Sequence, residues 1–217
     1  MDDELAIGTR REPLLNAPWP SLAVVVAILG SYAIQLMLGG QALSLAYGFA
    51  PADLDRGRLG NLLAMMFLHG AWIHAIMNAL GALAFGPPVA RLLGPGLRGA
   101  TSYVGFYLVC GVLSSLGYAA LHLHQIEPVI GASGAVSGLM GASARLIGRR
   151  RGLNPLTSRP VVSLAISWIV VNALMGVAGA PLMAGARVAW EAHIAGFAVG
   201  LLLIEPWRAI TSPRVEV

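Results

Sequence analysis

The sequence has no lysine, a single cysteine and few charges of either sign, and each shortage excludes something. Only 11% of its 217 residues are charged, against about 25% in an ordinary soluble domain. Too few charged groups remain to coat a water-facing surface. The lone thiol, Cys110, lies inside an apolar run, where it has no partner for an internal disulfide or a thiolate metal site. With lysine absent, all fourteen basic residues are arginine. They form no basic patch interleaved with aromatics, so the net charge of +4 does not point to nucleic acid. What is present is apolar: 57% of the chain is hydrophobic. The composition is that of an all-α, polytopic membrane protein, and the Ala, Gly and Arg richness suits a bacterial cytoplasmic membrane.

A membrane-crossing helix needs about 20 mostly apolar residues. Six such stretches are expected, at 19–38, 61–86, 101–121, 132–148, 161–180 and 188–206. Together they make a membrane domain over 19–207 between short tails, 1–18 and 208–217. The first stretch is too long for a signal-peptide core and lacks a clear small-residue cleavage site, so it reads as a retained helix. Arginine placement sets the orientation. If both termini are cytoplasmic, the inner segments hold eleven of the fourteen arginines, and only Arg56, Arg58 and Arg187 lie outside. The segment 39–60, rich in Gly and Pro, reads as an irregular outer loop.

Ionisable and polar groups are expensive inside lipid, so they mark candidate function. The second stretch carries His69, His74 and Asn78, the fourth opens on Gly131-Ala132-Ser133-Gly134, and the sixth carries His193. All three stretches run inward from outside, which places Ser133, His193, His74 and Asn78 in one leaflet. His74 and Asn78 are four residues apart and share a helical face. His69 lies about 140° round from His74 and reads as a supporting residue.

A serine hydroxyl becomes a nucleophile when a base takes its proton, and histidine is the usual base. Ser133 and His193 can meet only if their helices approach closely. Gly134 with Gly138, and Gly196 with Gly200, form two GxxxG faces that permit this. The start of a helix gathers unpaired N–H groups and the positive dipole end. With His74 and Asn78 as further donors, that start could stabilise an oxyanion. No carboxylate is placed to orient His193: Glu191 falls on roughly the opposite face, which leaves a Ser–His dyad held by packing. His122 and His124 read as solvated loop residues, Trp72 and Trp190 as interfacial anchors, and Ser114, Ser115 and Ser137 as packing.

These residues resemble the rhomboid family of intramembrane serine proteases. The resemblance covers about residues 60–205 and rests on H-x4-H-x3-N (His69, His74, Asn78), G-x-S-G (Gly131, Ser133, Gly134) and A-H-x2-G-x3-G around His193. It implies a six-helix bundle with a cavity open to the outer side, Ser133 as nucleophile and His193 as base. His74, Asn78, Gly131 and the Ser133 N–H would serve oxyanion stabilisation and substrate positioning. Substrates would be single-pass membrane proteins, and no cofactor or metal is implied. Three features depart from the common pattern: Ser137 replaces a tyrosine that packs on the histidine, Arg56 and Arg58 have no adjacent tryptophan, and Ala90 precedes Arg91 where an acidic residue is common. Two other readings share part of this pattern. An inactive relative would bind membrane clients without cutting them. A transporter would need polar residues continuing through the inner leaflet, and the second, fourth and sixth stretches have almost none there.

Overall fold

The computed structural model describes residues 17–149, 152–182 and 188–211, the side chains of 177–182 excepted. Eight helices are described: α1 (Trp19–Leu38), α2 (Gln41–Tyr47), α3 (Asn61–Ala64), α4 (Trp72–Leu93), α5 (Gly96–Leu121), α6 (Ser133–Ala144), α7 (Arg159–Leu182) and α8 (Trp190–Thr211). Among the described residues the only β pairing is one isolated bridge, Phe49 with Val129. Five helices, α1, α4, α5, α7 and α8, are long and apolar enough to cross a membrane. The chain is therefore an all-α, multi-pass membrane protein.

The segment expected as the fourth span, 132–148, behaves differently. Its helix, α6, has 12 residues, a rise of about 18 Å, well short of the roughly 30 Å hydrocarbon core. It does not need to meet lipid, because every residue from Gly134 to Ala144 is buried against the other helices. The sequence allows this enclosure: SGAVSGLMGASA is almost all small, so backbones can approach it from several sides. α6 packs most extensively on α8, then on α5 and α4.

The glycines divide this work differently from the expected meeting of two GxxxG faces. On α8, a Cβ at Gly196 or Gly200 would strike the Gly134 or Gly138 carbonyl, so those two glycines do seat α8 on α6. The open sides of Gly134 and Gly138 face mainly α5, against Ser114 and Cys110. The α6 glycine turned squarely toward α8 is Gly141, against the Phe197 carbonyl.

The second expected span, 61–86, is also broken. Residues 61–67 form α3 and a 3₁₀ turn, and a continuous helix starts only at Trp72. Gln35 of α1 explains the interruption. Its Oε1 accepts from the His69 N–H at 2.9 Å, and its Nε2 donates to the His69 carbonyl at 3.0 Å. Both backbone groups of His69 are thereby satisfied without a helix. α4 then runs to Leu93, through Pro87 and Pro88, and ends at Gly94 (φ +103°).

Polar ties mark the two ends of the bundle. At one end His122, just past α5, meets Glu191 at the start of α8 at 3.1 Å. At the other, Arg145 after α6 meets Glu205 late in α8 at 2.7 Å. The second end also carries Arg91, Arg98, Arg149, Arg159 and Arg208, whereas Arg56 and Arg58 lie at the first. Arg10, Arg11, Arg150, Arg151, Arg187 and Arg214 lie outside the described residues. The loop 39–60 is ordered by buried Asp53, which accepts from the Ala50 N–H at 3.1 Å and Asn61 Nδ2 at 2.9 Å. Through the Phe49–Val129 bridge this loop holds the chain that leads into α6.

Candidate active site

The entry to α6 is shaped by Gly131. Its φ of +125° is open to glycine and strained for other residues. A Cβ there would stand 2.7 Å from the His74 ring and 3.7 Å from Asn78 Nδ2. Its N–H donates to the Met65 carbonyl at 2.9 Å. This close approach brings the start of α6 beside His74 and Asn78, which sit on one face in the first two turns of α4. Ser133 follows as the first residue of α6, and the N-cap Ala132 has no side chain to satisfy the first amides.

His193, in the first turn of α8, points at this residue: its Nε2 lies 2.7 Å from Ser133 Oγ. Both residues are only partly buried. Asn78 is 5% exposed, and its Nδ2 has no hydrogen-bond partner among the described residues. A buried orphan donor is costly in a folded chain. Here it faces the entry to α6, where an acceptor could satisfy it. His69 is buried with both ring nitrogens unpartnered among the described residues, edge-on to His74 with centroids 5.1 Å apart. Gly131, Gly134, Gly138, Gly196 and Gly200 carry no chemistry themselves; they set how closely the backbones approach.

One residue at the site escaped the sequence reading. Asn172 of α7 is 2% exposed, and its Oδ1 lies 2.8 Å from His193 Nδ1. The imidazole is therefore held by a hydrogen bond as well as by packing. The signal was available: Asn172 is a polar residue inside the apolar run WIVVNALM, and such residues mark function in a membrane helix. It is an amide, not the carboxylate that orients the histidine in a serine protease triad. Glu191 turns away from the site and pairs with His122, which also packs on Tyr118 with ring centroids 4.5 Å apart. His122 is thus a tie between α5 and α8, not a solvated loop residue. Trp190, expected as an interfacial anchor, packs over Gly176 of α7. Ser137 donates to the Ser133 carbonyl at 2.7 Å, and Ser114 to the Ala192 carbonyl at 2.6 Å.

A multi-pass helical bundle with a serine and a histidine in hydrogen-bond contact at one end describes a class of membrane protein, not yet a family. A family model described as the Rhomboid domain matches residues 56–209, well over half of the chain and all of the site. The chain belongs to the rhomboid family. No curated protein matches it in sequence.

Proposed function

We propose that the protein is an intramembrane serine endopeptidase. The observation that carries this reading is the 2.7 Å contact between Ser133 Oγ and His193 Nε2. It falls within the range of a working nucleophile–base pair. In this mechanism His193 Nε2 takes the Ser133 proton as Oγ attacks the scissile carbonyl. The oxyanion that forms lies at the start of α6, where unpaired amides, the helix dipole, Asn78 Nδ2 and His74 favour negative charge. His193 then passes the proton from Nε2 to the leaving amine. Water hydrolyses the acyl-enzyme by the same route in reverse.

The surroundings support a substrate that arrives in lipid. The proposed substrates are single-pass transmembrane proteins cut near the arginine-poor end of the bundle. Arginine asymmetry favours cytoplasmic placement of the opposite end and of both termini, in a bacterial inner membrane. The second reading, an inactive relative that binds membrane clients, has less support because the serine and histidine are both present and in contact. A fluorophosphonate probe distinguishes them. The parental protein should be labelled and Ser133→Ala should not; an unlabelled parental protein that also leaves a model transmembrane substrate intact would favour the binder.

A further inference from the structure

A neutral imidazole has one donor and one acceptor nitrogen, and only one tautomer suits a base. If the proton sits on Nε2, it points at Ser133 Oγ and no lone pair is left to receive the serine proton. If it sits on Nδ1, Nε2 is free to accept. Something must choose between the two.

We propose that Asn172 is a positioning residue for His193: its amide, anchored on the Trp168 carbonyl, selects the tautomer protonated on Nδ1. The proposal rests on the reading of Ser133 and His193 as nucleophile and base. Which end of the amide faces the ring decides the tautomer. Asn172 Nδ2 lies 2.8 Å from the backbone carbonyl of Trp168, one turn earlier on α7. A carbonyl oxygen can only accept, so the NH₂ group must face it. Flipping the amide would set two acceptors against each other. Oδ1 is therefore the atom facing His193, and it too can only accept. Its partner must be Nδ1–H. The proton is then absent from Nε2, which is left to accept from Ser133 Oγ.

This explains how a neutral amide can occupy a position where serine protease triads use an acid. In a triad, replacing the acid by asparagine produces the wrong tautomer and costs about 10⁴ in kcat. Here the NH₂ group that would cause that error is already engaged by Trp168. A neutral partner also avoids the cost of burying a carboxylate in the membrane. α7 secures His193 in two further ways. Trp168 Nε1 donates to the His193 carbonyl at 3.4 Å, and the two rings lie 6.3 Å apart at 37°. These contacts come from α7 while position 137, on α6, holds a serine bonded to its own helix backbone.

The test uses full-length protein in detergent, with ¹⁵N-labelled histidine and His193→Gln to assign the His193 signals. The expected spectrum has His193 protonated on Nδ1 and bare at Nε2; a proton on Nε2 overturns the proposal. Asn172→Leu, similar in size but without an acceptor, should lower kcat about 10²-fold, toward the lower end of what general-base catalysis supplies. KM should change little. Asn172→Asp in its neutral acid form keeps an oxygen facing Nδ1 and an O–H for the Trp168 carbonyl, and should recover most of the loss. Parental kcat in Asn172→Leu overturns the proposal. If that variant does not fold, the parental spectrum and the Asp variant still decide it. Failure of the parental protein to label or cut would instead overturn the protease reading, while the spectrum would still report on Asn172.

Discussion

α6 and α7 engage the two nitrogens of His193 and are held in opposite ways. α6 supplies Ser133 to Nε2 and is enclosed by α4, α5 and α8, with no residue from Gly134 to Ala144 left exposed. α7 supplies Asn172 to Nδ1, yet Ile166, Ile169, Val170, Val171 and Leu174 of that helix face outward, and it packs mainly on α8. The nucleophile is fixed by backbones in contact, which cannot yield without separating whole helices. The orientation of the base depends on a lightly packed helix joined to it by a few polar contacts. A catalytic pair can thus have one member set by sterics and the other by hydrogen bonding. Disturbing each side separately should give different signatures.

The largest effect should come from the pair itself. Ser133→Ala and His193→Ala should each abolish cleavage of a model transmembrane substrate, and the double variant should be no worse, because the two act as one unit. Comparing turnover among the three checks this. Next is Asn78→Ala, which removes the orphan donor facing the α6 entry; turnover should fall by about 10²–10³-fold, mostly in kcat. Kinetics at several substrate concentrations separate kcat from KM.

The enclosed side is tested by Gly200→Val, which drives a side chain into the Gly138 carbonyl. Backbone on both sides leaves little room to yield. Displacement of about an ångström can cost about 10²-fold in rate, and overpacking should destabilise by about 1–3 kcal/mol. Activity and Tm should fall together. Gly30→Val is the control: a Cβ there meets nothing within 4 Å, so both should stay near parental values. The smallest effect belongs to the arginine-rich end. The Glu205 side chain is 66% exposed, and Arg145 also donates to the Asn154 and Leu201 carbonyls. The Arg145 side chain is only 7% exposed, but the Gln Oε1 can still accept from it, so Glu205→Gln should lower Tm only modestly, by about 1 kcal/mol of stability.

Composition and spacing alone determined a good deal. Fewness of charge and the apolar stretches established a multi-pass membrane protein, because each lipid-crossing helix must be apolar along its own length. The motifs around His74, Ser133 and His193 carried the family, and the shared depth of those residues made a meeting plausible. Tertiary structure decided the rest. Gln35, more than thirty residues away, interrupts the helix at His69 by taking up its backbone groups. Enclosure by neighbours lets α6 stop at 12 residues, which a lipid-facing helix could not do. The rotation of each helix about its axis turns Gly134 and Gly138 toward α5, Glu191 toward His122 and Asn172 toward His193. The difference has one cause. Whether a segment can lie in lipid depends on the sum of its own residues, whereas which polar groups pair across helices depends on axial rotation, set jointly by every helix in contact.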